Sequence, residues 1–159
     1  MRPKVLIGTV AATAGAAFVG SMASRSSIDS WYTTIRKPAY VPPNVVFPVA
    51  WTALYGDIAV TSAVAIDRLR EDGRHAQARS LVAALVANLV LNAGWSWLFF
   101  GRHKLGASAV AAAALTASSA DLARRVAVVN AGAGSALAPY PLWCGFATVM
   151  STDIWRLNR

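Results

Sequence analysis

Amide and aromatic side chains recur at helical spacing in the third apolar stretch of this 159-residue chain. Their spacing of four, three and four residues places them on one face of a helix. Amides are costly against lipid, so this face is predicted to look into a helix bundle. Such side chains suit stacking on and hydrogen bonding to a flat ligand, but the asparagines equally suit bonding between helices. The residues are Asn88, Asn92, Trp95 and Phe99.

Two further apolar stretches carry aromatic residues with the same spacing. Tryptophan and tyrosine are also enriched at membrane interfaces, which explains Trp31, Tyr32 and Trp155. That explanation suits the inner aromatic residues less well, because helical residues flank them on both sides. We therefore predict two more faces that look into the bundle. They consist of Trp51, Tyr55 and Ile58 in one stretch and Tyr140, Trp143 and Ala147 in the other.

Two carboxylates inside apolar stretches raise the alternative of transport, because intramembrane acids often mark ion or proton pathways. Asp57 lies about 240° round its helix from Trp51, at 100° per residue, and is predicted to face away from the aromatic stripe. Asp121 lies near Arg124 and Arg125 and is predicted to reach toward the membrane surface. The sequence shows no further coupling-ion site, which argues against active transport.

The region 24–46 is rich in proline and cannot form one regular helix. Pro38, Pro42 and Pro43 stiffen it, and Tyr40 adds an aromatic plane. A stiff aromatic loop of this kind is predicted to cap an internal cavity. The alternative is a connector at the membrane interface that contacts no ligand.

The elements that must position these residues are membrane-spanning helices. The chain is 56% hydrophobic and 14% charged, with a mean hydropathy of +0.46. Soluble domains carry roughly 25% charged residues, so most of this surface is predicted to face lipid. A spanning helix needs about 20 apolar residues. We predict an all-α, multi-pass integral membrane protein, a single domain over 1–159. It is a five-transmembrane-helix bundle with spans at about 5–23, 47–66, 81–101, 105–123 and 131–155.

The net charge of +8 is spread over the ends of the apolar runs, which predicts contact with anionic lipid headgroups and not with nucleic acid. In the five-span topology, eight of the 15 Lys and Arg residues fall on one side of the membrane and seven on the other, so the orientation of the protein in the membrane is not predicted. The lone Cys144 has no disulfide partner within the chain. No His, Cys and carboxylate residues have metal-ligand spacing, so neither a metal nor a His-ligated haem is expected.

Three ordered motifs between Trp31 and Trp155 resemble the TspO/MBR family, the tryptophan-rich sensory proteins related to the mitochondrial translocator protein (peripheral benzodiazepine receptor). The pattern WY…KP.W.PP…P..W..LY is matched by Trp31, Tyr32, Lys37, Pro38, Pro42, Pro43, Pro48, Trp51, Leu54 and Tyr55. The pattern N..W…FFG is matched by Asn92, Trp95, Phe99, Phe100 and Gly101. The pattern PY..W..FAT is matched by Pro139, Tyr140, Trp143, Phe146, Ala147 and Thr148.

The resemblance implies a five-helix bundle, commonly dimeric, whose cavity is closed by the loop after the first helix. It implies binding of porphyrins and benzodiazepine-type ligands and, in animal members, of cholesterol. Some bacterial members promote light-dependent breakdown of protoporphyrin, and the two tryptophans implicated there match Trp51 and Trp143.

The chain departs from the family pattern at three places. Ala39-Tyr40 stands where Trp-Trp or Ser-Trp is frequent, so the loop is less aromatic. Ser96-Trp97 replaces a pair in which proline is common. Thr152 stands where the cholesterol motif needs a tyrosine, so specific cholesterol binding is not supported.

We therefore expect a homodimeric protein that binds protoporphyrin or haem, needs no cofactor, and has a sensory or stress-regulatory role. One alternative is a porphyrin-degrading enzyme in which Trp51 and Trp143 act as light-dependent electron donors. Another is a transporter of porphyrins or other lipophilic molecules. The predicted ligand-binding residues are Tyr40, Pro42, Pro43, Trp51, Asn88, Asn92, Trp95, Phe99, Tyr140, Trp143 and Ala147.

Overall fold

A computed structural model describes residues 2–159, and every regular element in that range is helical, as predicted. Four helical segments within it are long and apolar enough to cross a membrane, namely 3–24, 46–71, 75–101 and 105–129. This confirms the predicted multi-pass integral membrane protein. The helices are α1 (Pro3–Ser24), α2 (Trp31–Thr34), α3 (Val46–Glu71), α4 (His75–Ser96) with a π-helical turn (Trp97–Gly101), α5 (Leu105–Val129), α6 (Ala131–Leu137) and α7 (Pro139–Leu157).

The predicted fifth span over 131–155 is two helices, α6 and α7, not one. The break falls at Ala138, directly before Pro139. A proline lacks the backbone N–H and its ring clashes with the preceding turn, so the helix is interrupted. The N–H of Ala138 donates instead to the Ser135 carbonyl at 3.2 Å. Before the break, the Asn130 side chain caps α6 by accepting from the Ala133 N–H at 2.9 Å.

Close approach of small residues holds the helices together. α5 packs along α7, α1 packs on α3 and α4, and α4 also contacts α5. Gly106 on α5 lies against the Trp155 ring of α7, and a side chain on Gly134 would collide with Ala127. Large apolar side chains such as Val110 and Leu142, 72% and 74% exposed, cover the outer faces, as lipid contact requires.

An ion pair ties the start of the chain to the end of α3. The backbone N–H of Arg2 donates to Asp67 Oδ2 at 2.8 Å, and Arg2 Nε lies 3.2 Å from Asp67 Oδ1. Asp67 is buried, so pairing with a cation offsets the cost of removing its charge from water. This contact sets the relative height of α1 and α3, the two helices that form one side of the cavity described next.

Candidate ligand cavity

A cavity of about 450 Å³ lies between α1, α3, α4 and the segment that joins α1 to α3. This volume falls within the range of roughly 300–1,000 Å³ for small-molecule sites. Within the described range 2–159, the residues that form its wall carry no charge. They are Ala17, Gly20, Ser21, Ser24, Ile28, Tyr32, Asn44, Val45, Phe47, Pro48, Trp51, Tyr55, Asn92, Trp95, Ser96, Phe99, Phe100 and Met150.

Two ring pairs, one on α3 and one on α4 and its π-helical turn, form parts of the wall. On α3, the Trp51 and Tyr55 centroids are 5.6 Å apart and their planes are tilted by 33°. On α4, Trp95 stacks on Phe99 at 5.6 Å and 27°. Planar apolar side chains from two helices, with few polar groups among the other wall residues, suit a flat ligand.

The π-helical turn explains how consecutive phenylalanines both reach the cavity. A π turn inserts an extra residue into an α-helix and is frequent at functional sites. Here it allows Phe99 and Phe100 to line the same cavity, with centroids 4.8 Å apart and planes at 68°. The turn therefore converts the FFG part of the second motif into a corner of the wall.

Of the predicted ligand-binding residues, Trp51, Asn92, Trp95 and Phe99 lie on the cavity wall, and the structure places the others elsewhere. Trp143 packs edge-on against the wall residue Phe47, with ring centroids 6.1 Å apart. Ligand contact by the residues off the wall remains a prediction. These residues are Tyr40, Pro42, Pro43, Asn88, Tyr140, Trp143 and Ala147.

Asn88 and Tyr140 belong to a buried chain of hydrogen bonds that starts at the wall. Tyr55 Oη donates to Asn92 Oδ1 at 2.7 Å, and Asn92 Nδ2 donates to Tyr140 Oη at 3.3 Å. Tyr140 Oη donates to Asn88 Oδ1 at 2.7 Å, and Asn88 Nδ2 donates to Ser118 Oγ at 3.1 Å. The chain connects α3, α4, α7 and α5, so the two asparagines have different surroundings: Asn92 borders the cavity and Asn88 joins helices.

The proline-rich segment is attached to the end of α7. Tyr40 Oη donates to Asp153 Oδ2 at 2.8 Å. Partial burial, together with the hydrogen bond and negative charge of Asp153, raises the pKa of Tyr40 to about 12. The backbone N–H of Arg36 donates to Asn158 Oδ1 at 2.9 Å, and Asn158 Nδ2 donates to the Arg36 carbonyl at 2.8 Å. The segment is thus held at two points, and its continuation at Asn44 forms part of the cavity wall.

Lys37 and Tyr32 are functional candidates that helical spacing does not indicate, although both match the first motif. Lys37 Nζ donates to the carbonyls of Tyr32 and Ile35 at 2.5 and 3.3 Å and lies 4.5 Å from the centre of the Tyr32 ring. The lysine therefore holds the short helix α2 so that the buried Tyr32 faces the cavity. Burial raises the pKa of Tyr32.

The first helix also contributes to the wall, which the motifs did not indicate. Its wall residues are Ala17, Gly20, Ser21 and Ser24. They are small and follow helical spacing, so this face could have been found from the sequence. Gly20 approaches α4 closely, since a Cβ on it would lie 3.3 Å from Ser96 Oγ. Small residues at this point leave room for the cavity.

Neither intramembrane carboxylate lies on the cavity wall. Asp121 pairs with Arg124 at 2.7 Å and with Arg125 at 2.5 Å on the same helix. Asp57 is half-buried on α3, away from the stripe formed by Trp51 and Tyr55 on the wall. The chemistry available at the cavity is therefore stacking, apolar contact and hydrogen bonding.

Comparison with known proteins gives consistent matches along the chain. Residues 8–156 match the TspO/MBR family. The chain is 32% identical to the tryptophan-rich protein TspO of Archaeoglobus fulgidus over 157 residues, covering 96% of each protein. It is 31% identical to the translocator protein of Homo sapiens, covering 89% of this chain and 83% of the relative. Protein CrtK of Rhodobacter capsulatus is 29% identical, with 89% and 87% covered.

Proposed function

Because this chain belongs to the TspO/MBR family of membrane proteins, we propose that it binds a flat tetrapyrrole, protoporphyrin or haem, in the cavity between α1, α3 and α4. The observation that carries the proposal is the uncharged aromatic wall around about 450 Å³. Ring stacking and apolar burial supply the binding free energy, and Tyr55 and Asn92 supply polar contacts. A sensory or stress-regulatory role would follow from occupancy of this cavity.

The proposal includes a fifth membrane crossing and a capping loop. α6 and α7 together complete the crossing, because α7 alone has 19 residues and would extend about 28 Å at 1.5 Å per residue. The loop is the stretch between Pro38 and Pro43, held to α7 by the Tyr40–Asp153 hydrogen bond. A homodimer is part of the same proposal and rests on the family resemblance alone.

The test is a fluorescence-quenching titration of the purified protein with protoporphyrin and with haem. Trp51 and Trp95 lie on the wall, so a ligand in the cavity should quench a large part of the emission in a saturable way. The same titration on a Trp51→Phe, Trp95→Phe variant, which keeps four of the six tryptophans, should give a saturable signal of smaller amplitude than a Trp97→Phe, Trp155→Phe control away from the wall. Quenching that never saturates, or an amplitude that falls no more than in the control, would rule out binding at this cavity.

A second candidate function is light-dependent breakdown of the bound porphyrin, and the position of Trp51 favours it. Its indole lies on the wall and within 5.6 Å of the Tyr55 ring, measured between centroids. An excited porphyrin would take one electron from the indole, which releases its N–H proton and becomes a neutral radical, and would pass that electron to dioxygen. The superoxide formed would attack the ring. Illumination of the complex with and without dioxygen tests this second candidate.

A further inference from the structure

The hydrogen-bond chain behind the cavity runs in one direction from Tyr55 to Ser118. The reason lies at Tyr140, whose hydroxyl has a single hydrogen and touches the amides of both Asn92 and Asn88. It must donate to one amide and accept from the other. Since each amide has its oxygen and its NH₂ group on opposite sides, that one choice sets the orientation of both amides.

The distances along the chain agree with this direction. The two contacts in which a tyrosine hydroxyl donates to an amide oxygen are both 2.7 Å. The two contacts in which an amide NH₂ donates, to Tyr140 and to Ser118, are 3.3 and 3.1 Å. O–H···O bonds are normally shorter than N–H···O bonds, at about 2.7–2.8 Å against 2.9–3.0 Å.

The direction determines what Tyr55 presents to the cavity. Its only hydroxyl hydrogen is donated to Asn92, so only oxygen lone pairs remain for a ligand. We infer that Tyr55 makes the cavity selective for flat ligands that carry an N–H or O–H donor at their edge. The inference rests on the proposed binding of a flat ligand in this cavity, and adds which chemical group that ligand must direct toward α3.

The donor must also belong to a neutral group. The wall is uncharged throughout the part of the chain that the structure describes, so an ammonium or carboxylate would have no counter-ion. For a porphyrin, a protonated propionic acid meets both requirements, since its ring N–H groups point to the centre of the macrocycle; for a smaller ring system, an N–H at the edge does so. A ligand with only carbonyl or ether oxygens at the same edge would face the lone pairs of Tyr55 and bind more weakly.

Two tricyclic probes of nearly equal size separate these cases: carbazole, with one N–H donor, and 9-fluorenone, with one carbonyl acceptor at the same place. Calorimetric titrations in one detergent should show carbazole binding about tenfold more tightly, the effect of about one net hydrogen bond. Equal affinities, or a preference for fluorenone, would overturn the inference, while saturable protoporphyrin binding would still support the proposed function. If neither protoporphyrin nor either probe binds, the inference and the proposed function are both wrong.

A substitution away from the cavity tests whether the hydrogen-bond chain sets the preference for carbazole. Asn88 is fully buried and lies off the cavity wall. In Asn88→Leu the Tyr140 hydrogen loses its acceptor and is best satisfied by donating to Asn92, because an amide oxygen is a much stronger acceptor than the thiol of the neighbouring Cys144. The Asn92 amide then turns over and donates to Tyr55, whose hydrogen becomes available to the cavity. We expect the preference to invert, with fluorenone binding more tightly than carbazole; an unchanged preference for carbazole would overturn the inference.

A milder variant and a control cover the case in which Asn88→Leu fails to fold. Tyr140→Phe breaks the chain in the middle and should reduce the carbazole preference from about tenfold to below about threefold. Thr116→Val removes another interhelical hydroxyl contact, 2.8 Å from Thr148, without touching the chain, and should leave the preference unchanged. A full preference in Tyr140→Phe, or its loss in Thr116→Val, would show that the chain does not control selectivity.

Discussion

Tyr140 of α7 donates its hydroxyl hydrogen to Asn88 of α4 at 2.7 Å, and both side chains are fully buried. The aromatic face expected on α7 therefore meets the amide face of α4 and does not open onto the cavity. Trp143, on the same side of α7, packs against Phe47, which does line the cavity. The cavity wall thus comes mainly from α1, α3 and α4, and α7 adds Met150 to it.

The position of each tryptophan predicts its share of porphyrin affinity. Trp95→Ala removes a wall residue and should weaken binding by about 1–3 kcal/mol, the range for losing one aromatic stacking platform, taken by analogy from nucleobases. Trp143→Ala should weaken it less, because Trp143 lies off the cavity wall and packs against the wall residue Phe47. Quenching titrations of both variants give the comparison. A larger loss in Trp143→Ala would mean that the ligand reaches α7.

Light-dependent breakdown should depend on Trp51. Trp51→Phe keeps an aromatic plane in the wall, so much of the binding should remain, but phenylalanine is far harder to oxidise than tryptophan. Bleaching of bound protoporphyrin under illumination should therefore slow sharply, with Trp143→Phe as the matched variant behind the wall. If Trp51→Phe bleaches at the wild-type rate, the enzyme hypothesis fails and the binding hypothesis is unaffected.

Gly134 and Gly15 make a matched pair for helix packing. A Cβ on Gly134 collides with the side chain and backbone of Ala127, whereas one on Gly15 meets nothing within 4 Å. Gly134→Ala should destabilise the protein by about 1–3 kcal/mol through overpacking. Gly15→Ala should be neutral or stabilising by up to about 1 kcal/mol through helix propensity. Melting curves in detergent measure both, and equal melting temperatures would contradict the close α5–α6 contact.

Pro42→Gly tests the capping loop. The substitution loosens the loop without removing a wall residue, so ordering it on binding costs more and the ligand should dissociate faster. Stopped-flow dissociation of protoporphyrin is the measurement. Pro3→Gly, a proline at the start of α1 and far from the loop, is the control. An unchanged dissociation rate in Pro42→Gly would make the segment an interfacial connector only.

The Tyr40–Asp153 contact predicts a pH dependence. The pKa of Tyr40 is raised from 10.0 to about 12, so the folded protein favours the protonated hydroxyl. The stability from this contact is therefore complete below pH 10 and is lost as pH rises toward 12. Porphyrin dissociation should stay constant from pH 7 to about 9 and accelerate between about 10 and 12. Porphyrin should dissociate faster from Tyr40→Phe at neutral pH, and its dissociation rate should lack the increase caused by this titration. An identical pH profile in wild type and variant would exclude Tyr40 as the cause of the pH dependence.

Membrane spans and buried faces followed from the sequence because lipid imposes strong local constraints. Apolar length indicates a crossing, and the helical period puts residues such as Asn92 and Trp95 on one face. Both are buried as expected and both line the cavity. The division of 131–155 into two helices could also have been predicted from the sequence, because Pro139 lies within that stretch.

The motifs identified the family, and the tertiary structure decided which neighbour each face meets. Periodicity gives the angle of a side chain round its own helix but not the order in which helices pack. Trp51 and Trp143 looked equivalent in sequence, yet Trp51 lies on the wall and Trp143 lies off it, packed against Phe47. Asn88 and Asn92 share a face, yet only Asn92 borders the cavity, because α5 and α7 cover the deeper residue. The direction of hydrogen bonding from Tyr55 likewise depends on Tyr140 touching both amides, a contact between residues about 50 positions apart that no local pattern encodes.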